Sequence, residues 1–161
     1  MGAIVDLVEE VRNRLSTAQA SGSLTGVRAI YVGDASRARK LTDMPLINLS
    51  VLSGADEPTA HKARFTSDLN LEVLILHPKL ADDTTDNQLY KTSDSSGALF
   101  LIETVLNVLD KDTSGDLDLL FNSKSYNLVN YNWEIDNSFE TYYEIILTVN
   151  IKTAEFTAGS R

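Results

Sequence analysis

The chain has 161 residues, of which 43% are hydrophobic, and its formal net charge is −9. This length and apolar content are typical of a single globular domain that builds its own core. The absence of cysteine excludes disulfides, thiol nucleophiles and thiolate metal sites. The acidic balance disfavours non-specific binding to nucleic acid or to an anionic membrane as the main function.

The N-terminal segment is predicted to be an amphipathic helix. Charged residues between Asp6 and Arg14 argue against a signal peptide, and no apolar run approaches the ~18 residues of a membrane span. Apolar residues at spacings of three and four give the helix one apolar stripe. The stripe consists of Ile4, Val8, Val11, Leu15 and Ala18. Gly22 is the predicted stop signal.

Two short strand candidates follow the helix. Val27 to Val32 is a short strand candidate, and Leu46 to Leu52 alternates apolar with polar residues. The loop between them holds the most compact basic cluster of the chain, Arg37, Arg39 and Lys40. Such a loop either meets an acidic partner or a phosphate, or is simply solvated. Ser53 to Pro58 has the composition of a turn.

Phe65 to His77 alternates over an unusual length, which predicts a long antiparallel strand with one wet face. Leu74 and Leu76 make the second face apolar near its end, so we expect another part of the chain to cover it there. Lys79 to Ser96 is then a long polar loop, of the kind that tends to be functional. Its acidic residues, either solvated or in contact with a cation or a partner, are Asp82, Asp83 and Asp86.

Ala98 to Leu109 is strongly apolar and predicts a second helix, with Ser95 or Ser96 as N-cap and Glu103 on its exposed side. The order of elements predicts an α+β fold. We expect a mostly antiparallel or mixed sheet with two helices on one face and a terminal hairpin. No internal repeat or linker divides residues 1–161, which indicates a single domain.

The predicted hairpin has two long arms, Val129 to Ile135 and Phe139 to Ile151, joined by a turn at 136–138. Most of its aromatic residues are expected in the core. Tyr142 falls on the polar side of the second arm and is a candidate interface anchor. From Ala154 onward the sequence predicts a flexible polar tail.

A segment after the second helix partly matches the calcium loop of an EF-hand. The matching positions are Asp110, Asp112, Ser114, Gly115, Leu117 and Asp118. The twelfth position is Phe121, where the bidentate glutamate should stand. The segment is therefore either a polar turn or a weak calcium site, with Asp110, Asp112, Ser114 and Asp118 as the candidate ligands.

The sequence offers little for catalysis. Its two histidines, His61 and His77, lack metal-ligand spacing and are expected to be exposed or at a rim. No Gly-x-Ser-x-Gly elbow and no glycine-rich phosphate loop occurs. A small hydrolase using either histidine is the enzymatic alternative, without a substrate to propose. We expect a protein that is not an enzyme and needs no cofactor.

In its layout the chain resembles the tail terminator, or tail completion, proteins of tailed bacteriophages. The resemblance covers residues 3–153 and is one of pattern. It rests on the opening helix, the Pro-initiated strand Met44 to Leu49, the strand Phe65 to His77, the helix Ala98 to Leu109, and the aromatic-rich hairpin with Tyr131 to Glu134 and Glu144 to Asn150.

The resemblance implies a ring, usually of six subunits, that stops growth of the tail tube and offers a docking surface to the head-side neck. Implied partners are copies of the chain, the tail tube protein and the head-side neck or stopper protein, with a tail sheath as a further candidate. DNA would only pass through the lumen, no membrane is involved, and the protein would reside in the virion after assembly in the host cytoplasm. The loops 33–40 and 79–96 would contact neighbours. Another head–tail joining protein is the nearest alternative.

Overall fold

The described residues form a mixed six-stranded sheet with two helices packed against one face. The structure is a computed structural model, and it describes residues 3–24, 26–33, 41–61, 63–79, 97–109, 126–153 and 155–157. The elements in chain order are α1 (Ala3–Ala20), β1 (Ala29–Val32), β2 (Leu46–Pro58), β3 (Arg64–Pro78), α2 (Ala98–Leu109), β4 (Tyr126–Asp136), β5 (Tyr142–Thr153) and β6 (Phe156–Thr157). The predicted α+β class is confirmed.

The strands lie in the order β1-β2-β3-β5-β4. Strand β1 is parallel to β2, whereas the β2–β3, β3–β5 and β4–β5 pairs are antiparallel. The short β6 pairs with the beginning of β3. The two long hairpins, β2–β3 and β4–β5, thus lie side by side, and β1 and β4 are the two outer strands of the path.

Helix α1 ends where the sequence predicts, and Gly22 follows it with a φ of 86°, a conformation that glycine adopts without steric cost. Its buried stripe is Leu7, Val11, Leu15 and Ala18. The predicted stripe is therefore wrong at its beginning. Ile4 is exposed, Val8 is half-buried, and Leu7 takes the place in the core.

The core between helices and sheet is built from rows of side chains that cross the strands at right angles. The first row contains Ile30, Ile47, Ile75, Ile145 and Ile135. The second row contains Val32, Leu49, Val73, Leu147 and Trp133. The third row contains Val51, Leu71, Val149 and Tyr131. The residues that β3 and β5 contribute to these rows are fully buried.

The opposite face of the sheet carries a second, smaller apolar cluster, which we call the second-face cluster. It consists of Met44, Leu46, Leu74 and Leu76, with Ala29, Tyr142 and Ile146 packed against it. Leu74 is only 2% exposed, so this end of β3 is buried on both faces. The expectation that Leu74 and Leu76 need a cover is confirmed. The rest of this face is polar, as the alternation predicts.

Two sequence-based boundaries are corrected. Ser53 to Pro58 is not a turn but the second half of β2, and the chain reverses between Thr59 and Ala63 instead. The flexible tail expected from Ala154 does not hold at Phe156–Thr157, because Phe156 is buried and its ring lies 6.4 Å from that of Phe65. Local composition missed both pairings because each depends on β3 as a template.

The second helix and the hairpin agree with the prediction more closely. Helix α2 has the predicted bounds, and Glu103 is exposed. The candidate caps Ser95 and Ser96 lie outside the described residues. Strand β5 begins at Tyr142, so the predicted arm is three residues too long at its start. Within the described ranges, neither helix is both long and apolar enough to cross a membrane.

Lys79 joins the end of β3 to the turn between β4 and β5. Its ammonium group donates to the carbonyl oxygens of Asn137, at 2.7 Å, and of Phe139. It also lies 4.8 Å from the ring centroid of Tyr143, and its backbone N–H donates to the carbonyl of Thr141. One cation thus holds the turn against the sheet.

The second-face cluster predicts a clear difference between two leucines. Leu74→Ala should lower the free energy of unfolding by about 2–4 kcal/mol, because it removes a buried side chain and leaves a cavity. Leu52→Ala, at a position 53% exposed, should change it by less than about 0.5 kcal/mol. Urea unfolding followed by circular dichroism measures both. Equal, small effects would mean that the second face is not buried.

Replacing Lys79 tests whether its hydrogen bonds hold the β4–β5 turn against the sheet. Lys79→Met keeps the aliphatic stem but removes the charged donor, and should cost about 1.5–3 kcal/mol of unfolding free energy. The matched control is Lys152→Met, which removes an exposed lysine paired with Glu57 and Asp68, and its effect should be smaller. Chemical denaturation of the two variants compares them. A larger loss for the Lys152 variant would contradict this role of Lys79.

Candidate assembly surfaces

Most residues that the sequence suggested as sites lie outside the described part of the chain. These are Arg37, Arg39, Lys40, Asp82, Asp83, Asp86, Asp110, Asp112, Ser114 and Asp118. The basic loop, the acidic loop and the calcium-loop hypothesis therefore stay predictions. Tyr142 and the two histidines are described.

Tyr142 is not the exposed anchor that its place on the polar face suggested. It is half-buried against the second-face cluster, and its ring stacks on Phe139 with centroids 4.6 Å apart. Both partners come from the hairpin that begins at β4. The structure thus gives Tyr142 a packing role at the end of the sheet.

The two histidines do not converge on a common site. His61 lies in the β2–β3 turn and is exposed, with Nε2 4.0 Å from a carboxylate oxygen of Glu155. His77 lies at the other end of β3, roughly 40 Å away at the rise of an extended strand. It is buried rather than at a rim, and its Nδ1 lies 3.0 Å from the carbonyl of Pro78. Among the described residues, no three His, Asp or Glu side chains are grouped to hold a metal ion.

Large exposed apolar side chains instead lie at the two lateral ends of the sheet. The second row ends in Val32, which is 49% exposed, and in Trp133, which is 46% exposed. The third row ends in Val51, 45% exposed, and Tyr131, 50% exposed. Each row is therefore buried in its middle and open at both ends.

The β4 end of the sheet presents two aromatic side chains, Tyr131 and Trp133. They face the same side as the buried residues Leu147 and Val149 of the neighbouring strand β5. Ile135, in the first row, still packs against the core. The cover over β4 thus ends beyond the first row. An exposed aromatic patch of this kind is typical of an interaction surface.

The β1 end of the sheet contains an open groove, which we call the α1 groove. Its volume is about 280 Å³, and its lining residues are Val8, Val11, Val32, Gly33, Leu49, Ser50, Val51 and Leu71. Helix α1 forms one wall and the ends of β1 and β2 form the other. The first turn of α1 adds exposed apolar surface at Ile4 and Val5.

The groove exists because β1 is short. Strand β1 has only four residues and ends at the second row, so among the described residues Val51 in the third row has no partner from β1. Gly33 follows the strand with a φ of 125°, a backbone conformation that residues other than glycine avoid. Its N–H donates to the carbonyl of Leu49, and its own carbonyl accepts from Asn48 and Ser50.

The polar face of the sheet is ordered by side-chain hydrogen bonds. Asn150 donates to Asn70 at 3.1 Å, and Asn70 donates to Ser53 at 3.0 Å. Lys152 lies 3.0 Å from Glu57 and 3.8 Å from Asp68, and the hydrogen bond to Glu57 and these two charges raise its pKa. This face is hydrophilic and pre-organised, and it contrasts with the apolar ends of the helix face.

The hydrogen bond of Tyr31 belongs to the β1 edge of the same polar side. The Tyr31 hydroxyl donates to Asp43 at 3.0 Å, and this bond to a carboxylate raises the pKa of the phenol. Tyr31 is 38% exposed, so the edge strand is anchored here but is not covered.

Sequence reasoning missed both apolar ends. The alternation in β4 indicates one apolar face, and such a face is ordinarily assigned to the core. Only the strand order shows that β4 is an outer strand. The exposure of Ile4 would likewise require knowing where the sheet ends below α1. The chain matches no protein-family model and no curated protein, so these surfaces are inferred from its own geometry.

The chain's single tryptophan makes the β4 end directly observable. At a concentration where sedimentation shows a monomer, the emission of Trp133 should be that of a solvated indole, and iodide or acrylamide should quench it readily. The reason is its large exposed fraction at the end of the second row. A blue-shifted, poorly quenched emission from a proven monomer would contradict an open β4 end.

Proposed function

We propose that this chain is a tail terminator of a tailed bacteriophage, a structural protein rather than an enzyme. Copies of it would form a ring that ends the tail tube and offers a docking surface to the head-side neck. The observation that carries the proposal is the pair of apolar surfaces at opposite lateral ends of one sheet, the α1 groove and the β4 aromatics Tyr131 and Trp133.

A ring needs two different surfaces on each subunit. In a head-to-tail contact, one surface of a copy meets the other surface of the next, and the chain of contacts closes if the rotation allows it. A protein with only one self-complementary association surface would stop at a symmetric dimer. The two ends of this sheet differ, since one is a groove and the other presents two half-exposed aromatic side chains.

The positions of the two surfaces are compatible with closure into a ring. Val32 and Trp133 end the same row, and Val51 and Tyr131 end the next. Both surfaces thus lie at the same height along the strands. Contacts at equal positions along the strands are compatible with the zero rise that a ring needs, and the twist of the sheet rotates one end relative to the other.

The remaining surfaces suit the other contacts that a terminator makes. The polar face, on which Asn150, Asn70 and Ser53 are joined by hydrogen bonds, is available to water, to DNA in the lumen or to a neighbouring ring. A net charge of −9 would let DNA pass without adhering. The tail tube would bind one side of the ring and the neck the other, at the surfaces formed by the ends of the strands and the loops between them.

Microscopy with tail tubes tests the proposal. Negative-stain images of the protein alone should show monomers at low concentration and rings with a central opening at high concentration. Mixed with tubes of the phage that encodes it, the protein should cap one tube end. Failure to associate with tubes at any attainable concentration would overturn the proposal. Binding elsewhere in the neck would favour another head–tail joining protein instead.

A further inference from the structure

We propose that the side chain of Trp133 in one copy fills the α1 groove of the next copy, as the central contact between subunits. This inference rests on the proposed ring and names the residues that would hold it together. The occupant is a second copy of this chain, since both halves of the contact are present on each molecule.

The groove and the side chain match in size and chemistry. A volume of about 280 Å³ has room for one bicyclic aromatic ring system, and the lining side chains are mostly valine and leucine. The Ser50 hydroxyl oxygen accepts one hydrogen bond, from Asn48, and has acceptor capacity left for the indole N–H, which normally finds a partner when it becomes buried. Tryptophan is one of the residues enriched at interface hot spots, which lie in well-packed, desolvated pockets.

The sheet also sets the height at which the two parts meet. Trp133 and Val32 are the two ends of the second row, so a copy placed beside β1 at equal height brings its own Trp133 to the level of Val32. The rows would then continue from one subunit into the next. Tyr131 would reach the level of Val51 in the same way.

A single contact between two subunits should be weak. Burying the exposed half of Trp133 and Tyr131 removes roughly half of the 150–250 Å² that each aromatic side chain can bury. That is well below the ~800 Å² per partner of a standard interface, so the rim and ring closure must contribute the rest. We therefore expect association that depends on concentration or on the tube as a template.

Two variants that each lose one half of the contact provide the test. Val51→Asp places a charge in the groove, and Trp133→Asp removes the aromatic ring. Both positions are about half exposed, so the fold should persist, and circular dichroism and thermal unfolding verify this. Asn107→Asp and Thr17→Asp add the same charge at exposed positions of α2 and α1 that do not line the groove, and they serve as matched controls.

Each variant alone should stay monomeric at concentrations where the wild type and the controls form rings. An equimolar mixture should give a heterodimer and no ring. The Trp133→Asp variant keeps an intact groove and the Val51→Asp variant keeps its tryptophan, so each pair can form only one contact. Native mass spectrometry resolves these species. Homodimers of either variant alone would show symmetric contacts and overturn the proposal.

Fluorescence gives a second readout of the same mixture. The Val51→Asp variant then carries the only tryptophan, since the chain has one and the partner variant has lost it. Titration with Trp133→Asp should shift the emission to the blue and reduce quenching, and titration with Val51→Asp itself should not. No shift at high concentration would overturn the contact.

The two levels of the proposal fail in different ways. If wild-type rings form and Trp133→Asp does not weaken them by at least about tenfold, this contact is wrong while the ring stands. If the wild type never associates, with or without tubes, both the contact and the proposed function are wrong.

Discussion

The structure depends on one mismatch, between a sheet five strands wide along its path and a helix layer that covers only its middle. Helices α1 and α2 bury β3 and β5 completely over the central rows, and this burial supplies the hydrophobic stabilisation of the fold. The outer strands β1 and β4 extend beyond that cover. An apolar face that continues past its cover exposes its ends, and this chain places valine, tyrosine and tryptophan there.

A monomer alone gains nothing evident from such ends. Exposed aromatic and branched residues on outer strands invite association, and proteins that stay monomeric usually avoid them with charges or short edges. Here β1 is short, but its shortness opens a groove instead of closing the edge. Edges of this kind are explained if another copy completes the sheet's cover. The ring proposed for the chain turns the incomplete core of one subunit into a shared core between two.

Much of the fold follows from local pattern. The long alternation predicts β3 almost to the residue, and the apolar run from Ala98 to Leu109 predicts α2 with its observed bounds. These signals are strong because they repeat over many residues of one element. The second half of β2 and the strand β6 were missed, because Gly54, Pro58 and the small residues near Phe156 resemble turn or tail composition. Their pairing is set by β3, which lies elsewhere in the sequence.

The candidate surfaces could not be read from the sequence for a related reason. Periodicity indicates that Trp133 and Val51 belong to the apolar face, but the position of that face relative to the helices depends on strand order. The most direct measurement uses the absence of native cysteine. The double variant Val51→Cys/Tyr131→Cys should, on mild oxidation, form a ladder of disulfide-linked oligomers that ends at a closed ring. Products that stop at a dimer, or remain monomeric where the wild type assembles, would contradict a head-to-tail contact between the two ends of the sheet.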